Sequence, residues 1–460
     1  MISNSMLLFL ALSMIVVFVT LLLTNRTSVF ATLMLIPSFF GILIVIFSEH
    51  QFKDLFDWIY QGLFFKLATD GSVTAGVIPA ALLILFAIIY FNFMLDVGLF
   101  DPVIEFFIKQ ANGDPLKITM TTVLASTIVS MSGDTTSTVI ILISAFRVLY
   151  QLLGMNLIYL SILIIGPNGI LNMLPWGGPG AAASAAIQVD LTDLSNALYP
   201  GMILAILYTW LLAYYFGKKE RKRLIFIHDY SKEIDIDFQN RMLNSIRERN
   251  PELKRPQRLW FNLLLTLTLV SLLVSGTAPG AILFMIGTAL AITINYGDVS
   301  LVNKQLRKSV ASASLPFLAA LGAGVFSGIL TGSGMSSAIG NAIIEIIPIN
   351  WGLQMIIVYI LITIPGLTLI PQEAFYFGIA SVIANVMKNY GITRVQAAVA
   401  SMMGQAFGMI SPTIPALFYL AEETGQTFGR YQKNYVKYLW PIFFIYYLTY
   451  VLTGALPGLG

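Results

Sequence analysis

Apolar runs long enough to cross a lipid bilayer recur along this chain, and nothing else in it constrains the fold as strongly. They fall at 7–24, 30–47, 74–95, 116–132, 135–150, 156–173, 197–217, 259–276, 280–296, 313–330, 350–370, 374–388, 393–410 and 437–455. The hydrocarbon core of a bilayer is about 30 Å thick, which a helix crosses in about 20 residues. Charge is scarce, at 11% of 460 residues, against roughly 25% in a soluble domain. Within lipid every backbone N–H and C=O must find a partner in its own segment, so spans are helices. The sequence predicts an all-α polytopic membrane protein whose solvent is the bilayer. No Lys or Arg precedes Leu7–Thr24, so that run is expected to span and not to be a cleaved signal. The stretches Gln51–Asp70 and Phe100–Gln110 are predicted as interfacial helices.

Composition removes several chemistries. The chain has no cysteine and only His50 and His228. Disulfides, thiolate metal sites and a Cys nucleophile are therefore excluded, and no metal site is expected. No HExxH, Walker A or GxSxG stretch occurs, so neither an enzyme nor a bound cofactor is predicted. Twelve of the 26 Lys and Arg lie in 218–258, among seven acids. A basic run can bind nucleic acid, but between spans it reads as a cytoplasmic loop, and no nucleic-acid partner is expected. The organisation read from this is a first transmembrane repeat at 1–217, the basic loop at 218–258 and a second repeat at 259–460, in the cell membrane.

The two halves resemble each other at an offset near 237. Gly154 matches Gly391, Asn168 matches Gln405 and Pro175 matches Pro412 at 237; Gly98 matches Gly334 at 236, and Asp134 matches Glu373 at 239. Each half holds an odd number of crossings, so the repeats are expected to have inverted topology, each with a re-entrant hairpin and a broken helix. Such folds place their site near the midplane at the repeat interface.

Four polar stretches interrupt the apolar runs: 130–138, 166–180, 371–373 and 404–415. Pro175 and Pro412 lack an N–H and clash with the preceding turn, while Gly177 and Gly178 let the chain unwind. A helix broken this way presents free N–H groups to an anion and free carbonyls to a cation; the other reading is a kink kept for packing. A carboxylate at the bilayer centre costs about 2.5–3.5 kcal/mol and commonly marks an ion or proton path. Asp134 lies among the hydroxyls of Ser132, Thr135 and Thr136; it could equally cap a helix. Glu373, beside Gln372, is the second acid and could also face the mouth of a path. Asn168 and Gln405 suit a carboxylate or an inter-helix hydrogen bond. Trp176 suits substrate contact or packing. Asn172, Ser411 and Thr413 complete the candidate substrate and ion site.

These residues carry a family resemblance. The stretches Gly98–Pro102, Gly113–Ile118, Gly133-Asp134, Asn172–Gly178, Trp260–Leu267, Ala374–Gly378, Gly404-Gln405 and Ser411-Pro412 resemble the CitMHS family of citrate–divalent metal–proton symporters, within the ion transporter superfamily. The resemblance covers about residues 1–450. It implies proton-coupled uptake of an organic acid, two re-entrant hairpins, a homodimer and an elevator-like mechanism. Where the family carries Asp, Arg and His, this chain has Ser132, Ala182 and Gly408. The function expected is secondary active transport of a small citrate-like carboxylate, alone or with a divalent metal, coupled to protons or a cation. The alternative is a cation/proton antiporter or an exporter of a less charged solute.

Overall fold

The structure is a computed structural model, and it describes residues 3–24, 26–67, 73–102, 105, 114–225, 251–275, 277–346, 352–369, 372 and 374–458. The described residues are helical almost throughout. Its first half runs α1 (Asn4–Leu23), α2 (Val29–Phe47), α3 (Phe52–Leu63), the strands β1 (Phe65–Leu67) and β2 (Val73–Ala75), α4 (Ile78–Asp96), α5 (Pro115–Ser130), α6 (Thr135–Leu152), α7 (Leu157–Leu171), α8 (Gly178–Ile187) and α9 (Leu191–Ile225). The strands form one antiparallel ribbon with Lys66 opposite Thr74. The second half runs α10 (Leu259–Val274), α11 (Gly280–Asn295), α12 (Val299–Gly332), α13 (Met335–Ile346) and α14 (Gly352–Leu369). A π-helical turn at Ala374–Ala380 then leads into α15 (Ser381–Met387), followed by α16 (Arg394–Met402), α17 (Gln405–Gly408), α18 (Pro415–Glu423), α19 (Phe428–Leu439) and α20 (Pro441–Leu452). Among the described residues five helices are long and apolar enough to cross a membrane: Val29–Phe47, Ile78–Asp96, Thr135–Leu152, Leu191–Leu224 and Val299–Gly332. Most of Phe100–Gln110 lies outside the described residues.

The helix α12 is a central post against which α2, α3 and α4 pack. Small residues permit the close approach. A Cβ on Gly62 would stand 2.0 Å from the Gly324 carbonyl oxygen, and one on Gly328 would stand 2.2 Å from that of Trp58. In lipid, where burying apolar surface between helices gains little, such backbone contact and inter-helix hydrogen bonds drive association. Accordingly α3, expected only as an interfacial helix, rests directly on α12. Buried hydrogen bonds supply the other glue: Asn262 and Asn295 exchange side-chain bonds of 2.9 and 2.7 Å between α10 and α11, and Tyr90 on α4 meets Thr266 at 2.7 Å.

The basic segment begins as helix. Continuing past its apolar stretch, α9 runs through Lys218–Ile225, where cations suit the negative end of the helix dipole. Its last turns gather three other elements. Arg221 pairs with Asp114, the N-cap of α5. Arg223 donates to the Gly154 carbonyl just beyond α6. Glu220, almost fully buried, accepts from the Asn156 backbone N–H at 3.1 Å, where α7 begins. Both ends of the α5–α6 hairpin and the start of α7 therefore lie at this basic end.

Candidate functional site

Helix lengths place the tip of the α5–α6 hairpin. From the basic end, α5 climbs 16 residues and α7 climbs 15, about 24 and 22 Å at 1.5 Å per residue. The hairpin tip and the end of α7 thus arrive at one depth, and the Ser126 hydroxyl ties the climbing arms together by donating to Ile164 O at 2.7 Å. The far end lies well beyond. From Leu191 back to Ile225, α9 takes 35 residues, or about 52 Å. At the shared depth the tip meets the chain break. Trp176 Nε1 donates to the Met131 carbonyl at 2.6 Å. Gly133 turns with φ of 74°, and a Cβ there would lie 3.4 Å from Gly177 Cα.

The tip residues are held by local hydrogen bonds. Asp134 is the N-cap of α6, accepting from the backbone N–H of Thr136 at 3.2 Å and of Ser137 at 2.9 Å. It is half-buried, as is Thr135, while Thr136 is exposed. Ser132 is buried and its Oγ accepts from Asp134 N at 3.4 Å. Asn172 is buried at the end of α7. Trp176, at 1% exposure, stacks on Phe91 at 5.0 Å between centroids and lies 5.6 Å from Phe284. Gly177 is the N-cap of α8 and offers no side-chain acceptor; a Cβ on Gly178 would meet nothing within 4 Å. A cavity of about 420 Å³ opens on the far side, lined in part by Pro175, Gln188, Asp190, Thr192 and Pro279.

The second half is built alike. Arg394, Pro415 and Phe428 open α16, α18 and α19, each 237 positions after Leu157, Gly178 and Leu191, which open α7, α8 and α9. The N-caps Asn156 and Thr393, and the left-handed residues Gly154 and Gly391, and Gln188 and Gly425, keep that spacing. Like α8, α18 starts without a side-chain cap, after Ile414. Ser411 is buried and its Oγ is 2.8 Å from Thr413 Oγ1 on an exposed residue. Gln372 is half-buried. Glu373 lies outside the described residues.

The matched amides share an unusual state. Asn168 is fully buried, and neither its Nδ2 nor its Oδ1 has a hydrogen-bond partner among the described residues. Gln405, at 1% exposure, donates to Tyr376 Oη at 2.9 Å, while its Oε1 has none. A buried amide left unpaired costs about 1–3 kcal/mol, so such groups point to a water, ion or ligand.

Several residues here were not singled out in the sequence. Tyr376, on the π-helical turn, positions Gln405. From α19, Tyr431 donates to Met409 O at 2.7 Å, Gln432 to Ile410 O at 2.8 Å and Tyr435 to Ala406 O at 2.9 Å. These side chains satisfy carbonyls freed by the second break. The i, i+4 spacing of the two tyrosines on an amphipathic helix was the available signal. The halves also clasp each other. The half-helix α8 packs on the π-helical turn, and α18 packs on α6, where Arg147 pairs with Glu423.

A family model described as "Citrate transporter" (CitMHS) matches residues 38–421. A citrate transporter of Bacillus subtilis (strain 168) is 35% identical over 433 residues, covering 94% of this chain and 95% of its own. A Mg(2+)/citrate complex secondary transporter of the same organism is 32% identical over 458 residues, covering 98% and 99%. In fold, the chain is similar to the YdaH transporter of Alcanivorax borkumensis, with a TM-score of 0.51 at 12% identity over 91% of this chain and 97% of that one. By the family match and these relatives, the chain belongs to the citrate transporter family.

Proposed function

We propose that this protein is a secondary active transporter of a small citrate-like carboxylate, moved alone or as a complex with a divalent metal and coupled to protons or another cation. The observation that carries the reading is the pair of half-helix N-termini at Gly177 and Ile414, both without a side-chain cap. Free N–H groups and the positive dipole end suit an anion. The unpaired Asn168 Nδ2 can donate to a carboxylate, and the unpaired Gln405 Oε1 can accept from a substrate hydroxyl or meet a cation. Asp134 and Glu373 serve as the acids that a proton or cation neutralises during the cycle. The relative named for a Mg(2+)/citrate complex supports a metal-accompanied substrate.

The repeated spacing of helix starts and the reciprocal packing of α8 and α18 support an inverted repeat with two re-entrant hairpins. On this reading the hairpins and broken helices move as one unit against the post around α12, within a homodimer in the plasma membrane. The 218–258 loop is then cytoplasmic. The test is uptake of labelled citrate into proteoliposomes, with and without Mg2+, under an imposed pH gradient. Uptake that collapses with the gradient is the expected result. Proton–cation exchange that ignores every carboxylate offered would overturn it in favour of an antiporter.

A further inference from the structure

We infer that the cleft between α4, α6 and α12 is a carboxylate-binding subsite on the way to the hairpin tip, with Lys308 as its cation. The inference rests on the transport reading above and adds a residue and a location to it. The cleft holds about 240 Å³ and is lined by Asn92, Asp96, Ser137, Lys308, Ser309 and Ser312, with Leu95, Ile140 and Ile141 as its apolar wall.

Its position follows from the chain. Ser137 belongs to the first turn of α6, and its backbone N–H is one of the two that Asp134 caps, at 2.9 Å. The cleft therefore ends one helical turn from the tip. Its other walls are the last turn of α4 and the amphipathic stretch of α12 that precedes the apolar run of that helix.

The chemistry suits an anion. The four polar motifs contain no Lys or Arg, so any cationic side chain that a polycarboxylate meets lies outside them. Lys308 Nζ stands 3.8 Å from Asp96 Oδ2, at the limit of an ion pair, with 63% of the lysine side chain exposed against 11% of the aspartate. With the lysine exposed and the separation this long, the pair holds Lys308 weakly, and an arriving carboxylate can take it over. Asn92 donates one amide N–H to Ser312 Oγ at 2.9 Å, and its amide carries a second N–H. The Ser137 hydroxyl adds another donor. With Asn92, Ser137 and Ser312 beside it as neutral donors, Lys308 can hold one carboxylate in a walled space of this size, against the repulsion of the Asp96 carboxylate, while the rest of the molecule remains hydrated.

The absence of cysteine makes the test direct. Ser312→Cys introduces a single thiol, with Asn92→Cys as the second reporter should the first fail to fold. A membrane-impermeant maleimide applied from the side of residues 251–258 is expected to label it, and citrate is expected to slow that labelling severalfold. Adding Lys308→Gln is expected to remove the protection. In flux measurements Lys308→Gln should raise KM for citrate roughly tenfold, the loss of one charge-assisted contact, with kcat within about twofold. Lys308→Arg should restore KM. An unchanged KM together with intact protection in Lys308→Gln overturns the subsite. Absence of citrate flux and of protection in the chain that keeps Lys308 overturns the transport reading, and the subsite with it.

Discussion

At the residue scale, Asp134 caps α6 and also bears the charge that the proposed cycle needs, and one substitution separates the two. Asn caps a helix about as well as Asp. Asp134→Asn should therefore shift unfolding free energy by less than about 0.5 kcal/mol while abolishing coupled uptake. Accumulation at the full rate by a folded variant would leave Asp134 as a cap alone. Trp176 offers a second separation. Trp176→Phe keeps an aromatic ring beside Phe91 but removes the 2.6 Å bond to Met131. The expected loss is about 1 kcal/mol, read as a lower melting temperature in detergent, together with slower turnover as the tip loosens. An unchanged melting temperature would show that the indole N–H holds nothing. Residue type and position along the chain were enough to single out both residues. The setting of Trp176 was not legible, because Phe91 and Phe284 come from elements far away in sequence and no periodicity announces them.

At the element scale, the decisive features are the two helix breaks and what satisfies them. Pro175 and Pro412 could be read as breaks because proline cannot complete a helical hydrogen bond. The sequence does not reveal who receives the freed carbonyls, since α19 supplies three donors from outside the motif. Tyr435→Phe and Tyr431→Phe each leave a buried carbonyl short of a partner, and each should cost about 1 kcal/mol; a thermal-shift series on single and double variants checks this. Equal melting temperatures throughout would mean the second break needs no support from α19. Element ends were the least legible part. The helices α9 and α12 run past their apolar stretches, through Lys218–Ile225 and from Val299, because hydropathy ends where lipid ends while backbone hydrogen bonding continues. The close seat of α3 on α12 went unseen for a related reason: hydropathy weighs side chains, and this contact is between backbones. Gly328→Ala would drive a methyl to within 2.2 Å of the Trp58 carbonyl oxygen, and should destabilise the protein by roughly 1–3 kcal/mol. Wild-type yield and melting temperature in that variant would mean α3 is free to shift.

At the scale of the whole molecule, the proposed orientation makes a simple demand. Single cysteines at Gln257 and Asp193, both exposed, should react with impermeant reagents from opposite sides of a sealed vesicle. Reaction from one shared side would reverse the assignment of the basic loop. The proposed repeat was drawn from a few matched residues, and helix starts 237 positions apart support it at the level of whole elements. The mutual clasp of the halves was not legible, because it depends on which helix faces which. One residue breaks the match in a telling way. Gln188 occupies the left-handed region at φ of 59°, where its counterpart is Gly425, and its amide reaches Ser327 Oγ on α12 at 3.1 Å. A left-handed non-glycine residue costs about 1–2 kcal/mol, so at this joint the hydrogen bond to Ser327 offsets a backbone strain that Gly425 does not carry. Replacing Gln188 with glycine would remove the backbone strain and the bond to Ser327 together, leaving the end of α8 with the glycine that its counterpart has at Gly425.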